Sequence, residues 1–107
     1  MKVSDLEELG FKRITDGDGE LKHGYICDLL SEVMAKAEAD TVWLTVQSHM
    51  NVIAVAAITG IRAIVLCNGH KFDEDTMEKA KAEKISLFTT SLNAFEAGGK
   101  LYDKGLR

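Results

Sequence analysis

The chain has 107 residues, 46% hydrophobic and 28% charged, with a net charge of −4. That length carries one core, and the acidic balance, with no basic run longer than Lys12-Arg13, excludes a nucleic-acid partner, which needs clustered cations. No stretch approaches the ~18–20 apolar residues of a membrane span, and "MKVSDLEELG" lacks the apolar core of a signal peptide, so one cytoplasmic domain over residues 1–107 is expected.

Ser4 followed by Glu7 reads as a capping box that opens a short helix over Ser4–Leu9, with Gly10 at its end. "FKRIT" is a strand candidate. "DGDGE" places three carboxylates on alternate positions, but it lacks the flanking helices and distal Glu of a calcium loop and reads as an exposed turn. After the strand "GYIC", Asp28 is the natural N-cap of a helix whose apolar face holds Leu29, Leu30, Val33, Met34 and Ala37. "TVWLTV" is β-branched and aromatic without alternation, the pattern of a strand covered on both faces.

The polar stretch Gln47-Ser48-His49 then leads into a helix over Val52–Thr59, with Ser48 or Asn51 as its cap and His49 satisfying a nearby carbonyl. "RAIVLC" is a second doubly buried strand, closed by the Asn68-Gly69 turn. "DEDTMEKAKAEK" is an amphipathic helix with acids first and lysines last, matching the helix dipole. "ISLFTT" is the last strand, and Ser91 is the expected cap of a closing helix that contains Gly98-Gly99.

Strands and helices alternate from Gly24 onward, which predicts a three-layer α/β sandwich: a largely parallel sheet of about four to five strands with helices on both faces. Right-handed crossovers put every strand-to-helix turn on one edge, where helix N-termini favour anions. The candidate ligand-binding residues on that rim are Asp28, Gln47, Ser48, His49, Asn51, Asn68 and Gly69. Cys27, His49, Cys67 and His70 also fall at strand ends and offer zinc-ligand chemistry, though without the close paired spacing of a structural zinc site. No nucleophile elbow, phosphate-binding loop or dinucleotide fingerprint occurs, and no acid or base is paired with a nucleophile.

The Val52–Thr59 helix carries apolar residues all round; one face can cover the sheet, and in a one-core domain the other needs a partner or another helix. Ala54, Ala57 and Ile58 on the other face are expected to meet a second copy of the chain.

The segment from "GYICDLLSEVM" through "TVWLTVQSHMNVIAVAAITGIRAIVLCNG", with "KAKAEKISLFTT" and "AFEAGGKLY", resembles the DRTGG domain over roughly Gly24–Leu106. The resemblance is strongest at "CDLLSEVM" and "WLTVQSHMN". The Asp-Arg-Thr-Gly-Gly string that names the family is absent, and the nearest glycine turn is "CNGHKF". Family members are similar to the N-terminal domain of HPr kinase/phosphorylase and accompany CBS-containing pyrophosphatases and some phosphotransacetylases. The resemblance implies a dimerising regulatory module without catalysis or cofactor, with a nucleotide as a possible ligand and an enzyme as a possible partner. The alternative it leaves open is an adaptor that pairs and docks without any small ligand.

Overall fold

Thr41–Thr45 and Ala63–Leu66 consist of apolar and β-branched residues, every one of them buried. Such segments belong in the middle of a sheet, where helices cover both sides. A computed structural model describes all residues, Met1–Arg107. In it these two segments are β3 and β4, flanked by β1 (Lys12–Arg13), β2 (His23–Ile26) and β5 (Ser86–Thr89), in the order β1-β5-β4-β3-β2. Strands β2 to β5 are parallel, while β1 lies antiparallel against β5 with Lys12 opposite Thr89. The expected parallel α/β architecture is therefore present, and "FKRIT" supplies an antiparallel edge in which only two residues pair.

The helices are α1 (Asp5–Glu8), α2 (Leu30–Lys36), α3 (Asn51–Thr59), α4 (Glu74–Glu83) and α5 (Ala94–Asp103). The pleat divides them between two layers. Trp43, Ile64, Leu66 and Leu87 share one core with Val33 of α2, Val52, Ile53 and Ala56 of α3, and Ala80 of α4. Val42, Leu44, Val65 and Phe88 share the other with Leu6 of α1 and with Ala97 and Leu101 of α5. The largest buried side chain, Trp43, has its one polar atom satisfied: the indole N–H donates to the carbonyl of Cys27 at 2.8 Å. Thr15, also buried, ties the loop after β1 to β5 by donating to Ile85 O and accepting from the N–H of Leu87, each at 2.8 Å.

Four expected caps are replaced by other solutions. Ser4 makes no side-chain cap, and its backbone N–H donates instead to the Asp18 carboxylate. Asp28 does not cap α2, because its carboxylate is held by β3. Met50 occupies the N-cap position of α3, so neither Ser48 nor Asn51 caps that helix. Asn93, not Ser91, caps α5, in a complete capping box with Glu96. Asp28 is claimed by a neighbouring strand and Asn93 takes α5 by a shift of two residues, while α1 keeps Ser4 in the N-cap position and α3 starts at Met50, both without a side-chain cap.

Candidate functional site

The carboxyl ends of β2 to β5 form a common rim, because these four strands run parallel. The residues expected there do gather on it, but they divide into three groups. At the β2–β3 end, the Asp28 carboxylate accepts from the Thr45 hydroxyl at 2.8 Å and from the Val46 N–H at 3.0 Å. Gln47 closes the group: its amide nitrogen donates to Asp28 O and its backbone N–H to the Thr45 oxygen. Both functional groups of Asp28 are thus used to fix the end of β3.

The second group joins α3 to α4. His49 Nδ1 lies 2.9 Å from an Asp73 carboxylate oxygen, and both side chains are more than half exposed. The expected carbonyl partner of His49 is thus replaced by a carboxylate. The buried Thr76 donates its hydroxyl to Ser48 O at 2.9 Å. These contacts clamp the Ser48-His49 turn onto the start of α4. Asn51, the first residue of α3, is exposed.

The third group lies at the β4–β5 end. Asn68 and Gly69 both have left-handed backbones, with φ of 63° and 73°, a geometry suited to an Asn-Gly pair. Their N–H groups donate to Leu92 O and Thr90 O, both at 2.9 Å, which binds this turn to the loop after β5. Beside the turn is a recess of about 270 Å³ lined by Gly10, Lys12, Gly69, His70, Lys71, Thr89, Thr90 and Ser91. No carboxylate and no apolar side chain lines it. Neither Lys12 nor Lys71 takes part in an ion pair. Two lysines, an imidazole and three hydroxyls make a recess suited to a small polyanion.

Lys12 and Lys71 were not legible as site residues. Lys12 precedes the rim strands by a long stretch of chain and reaches the recess only through the antiparallel pairing with Thr89.

No group of three or more His, Cys, Asp or Glu side chains converges to hold a metal. Cys67 lies fully buried behind the rim, where burial first and the charge of Asp28 second push its thiol pKa up, away from the thiolate that metals bind. The Cys27 thiol points to Leu29 O and Glu32. In the "DGDGE" turn, Asp18 is engaged by N–H groups rather than directed at a cation: those of Gly19 and Ser4 hold its carboxyl below the usual range. No helix is long and apolar enough to cross a membrane.

No protein-family model matches the chain, and no curated protein matches it by sequence. Among solved structures it superposes on the CBS and DRTGG domains of the regulatory region of a Clostridium perfringens pyrophosphatase, with a TM-score of 0.70 and 11% identity. The fold is DRTGG-like. The match covers 92% of this chain and 45% of that one, so the chain spans less than half the length of its neighbour. That neighbour was solved in complex with its activator, diadenosine tetraphosphate.

Proposed function

We propose that the chain is a regulatory module without catalysis of its own, which works as a homodimer and binds a small anionic ligand, nucleotides included, at the carboxyl ends of its strands. The observation that carries the reading is the β4–β5 recess, where Lys12, Lys71 and His70 meet the hydroxyls of Thr89, Thr90 and Ser91 with no carboxylate among them. An anion there exchanges hydration for charge-assisted hydrogen bonds, the stronger kind. The DRTGG-like fold lends support, since the pyrophosphatase region that contains the similar domain, together with CBS domains, is regulatory and was solved with a nucleotide activator.

The test is thermal shift with inorganic pyrophosphate, ATP and diadenosine tetraphosphate at millimolar concentration. A ligand present at a hundred times its Kd stabilises by ~2.7 kcal/mol, which a melt resolves easily. Lys12→Glu and Lys71→Glu should abolish the shift, whereas Asp28→Asn should keep it. No response to any of these anions would refute the reading.

A second reading is favoured by the exposed Phe95, Tyr102 and Ile58: an adaptor that docks onto an enzyme and binds no small ligand. It predicts no shift with any anion and a stoichiometric complex with the enzyme it regulates.

A further inference from the structure

The sheet order sets the shape of the β4–β5 recess. Strand β5 lies between β1 and β4, with Lys12 opposite Thr89 on one side and the Gly69 N–H bonded to Thr90 O on the other. Neighbouring strands stand about 4.8 Å apart, so the segments that supply Lys12 and Lys71 are separated by about 10 Å. Thr89, Thr90 and Ser91 lie between them, and their hydroxyls are uncommitted. Those of Thr89 and Ser91 make no hydrogen bond within the chain, and Thr90 Oγ1 accepts from the Leu92 N–H at 3.2 Å, which leaves its own hydrogen to give. The N–H groups of Lys71 and Ser91 also have no acceptor in the chain.

Such a gap suits an extended anion. A single phosphate would draw both ammonium groups to one point, against their mutual repulsion, and would immobilise two long side chains to do so. A chain of two or three phosphoryl groups spans the gap with one ammonium at each end and hydroxyl donors along its length.

Nothing in the recess is built for a nucleoside. Sites for organic ligands are mostly apolar and measure about 300–1,000 Å³, whereas this one measures about 270 Å³ and has no apolar side chain in its lining. A base is held by stacking on aromatic faces. The one ring here is the exposed imidazole of His70, with no second ring and no aliphatic wall to close a slot around a base. Phe72, two residues on, is buried in the core.

We infer that the recess takes a condensed phosphate chain for itself, of the class of inorganic pyrophosphate and tripolyphosphate, and that a nucleoside attached to such a chain adds nothing to binding. This rests on the reading of the recess as an anion site and narrows its ligand.

The experiment is isothermal titration calorimetry of the full chain with orthophosphate, pyrophosphate, tripolyphosphate and ATP, in magnesium-free buffer because the lining has no carboxylate for a divalent ion. Pyrophosphate should bind about tenfold or more tighter than orthophosphate, and tripolyphosphate should equal ATP within about threefold. Lys12→Gln and Lys71→Gln should each weaken pyrophosphate about tenfold, and Lys36→Gln on α2 should not. Neither recess lysine makes an ion pair, so the ligand-free variants should melt with the wild type. Stacking of a base strengthens binding by roughly five- to a hundredfold where it occurs. ATP about tenfold tighter than tripolyphosphate would therefore overturn the restriction to phosphate chains while leaving the anion site in place. Orthophosphate as tight as pyrophosphate would overturn the two-lysine span, and an equal loss in Lys36→Gln would reduce the effect to overall charge and overturn the recess as the site. Binding of none of the four overturns the proposed function as well.

Discussion

Replacing Asp28 by alanine separates a rim residue that holds the fold from one that holds a ligand. Its carboxylate accepts two hydrogen bonds, from the Thr45 hydroxyl at 2.8 Å and the Val46 N–H at 3.0 Å, and a bond to a charged group is worth ~1.5–3 kcal/mol. The two do not weigh equally. Val46 is half-buried and water can reach its N–H once the carboxylate is gone, whereas Thr45 is 1% exposed and its hydroxyl donates to this carboxylate alone. The Thr45 oxygen keeps the Gln47 N–H as a donor, which limits the damage. The expected loss is ~2 kcal/mol, a fall in Tm of about 10 °C for a domain of this length. Urea melts of Asp28→Ala, Thr45→Val and the double variant supply the coupling. A loss below ~0.5 kcal/mol, or single effects that simply add, would refute the view that this carboxylate is structural.

Three further expectations follow from particular contacts. Asn93→Ala breaks the capping box of α5 and should cost ~1 kcal/mol in chemical denaturation, with Glu96→Ala adding little once Asn93 is gone; an unchanged midpoint would contradict the cap. His49→Ala removes an exposed pair and should change stability by less than ~0.5 kcal/mol, whereas Thr76→Val leaves Ser48 O without its buried donor and should cost ~1–2 kcal/mol; the reverse order of the two melts would disprove the clamp. Asp18 titrates below the reference 3.8, chiefly because the N–H groups of Gly19 and Ser4 favour its charged form. Its contribution is present above that reference value and is lost as pH falls through the lower folded value, so carboxyl-carbon NMR should place its midpoint under 3.8. A midpoint at or above 3.8 would remove the argument.

The layers were legible because their signal is collective. "TVWLTV" and "RAIVLC" carry no polar alternation, and a strand of that kind has nowhere to go but the centre of a covered sheet. Caps were not legible because each is a competition between a few donors within hydrogen-bond reach. Asp28 looked like an N-cap in the local sequence, yet Thr45 and Val46 come from the neighbouring strand and claim it first. Asn93 lies two residues beyond Ser91 and wins α5 because its spacing to Glu96 completes a reciprocal pair.

The same distinction governs the rim. Of the residues that stood out in sequence as a polar knot, Asp28 and Gln47 fasten the end of β3, the backbone carbonyl of Ser48 accepts from Thr76, and His49 meets Asp73 through one ring nitrogen. Local polarity at a strand end therefore marks a place where the chain must be fastened as readily as one where a ligand binds. The recess at the β4–β5 end differs because its lysines come from two separate segments, Lys12 and Lys71, and its hydroxyls from a third, Thr89–Ser91, and neither lysine is paired with a carboxylate of the chain. Lys12 and Lys71 lie beside three hydroxyls with no carboxylate in the lining, and that arrangement, not the polar knot, is what the proposed anion site rests on.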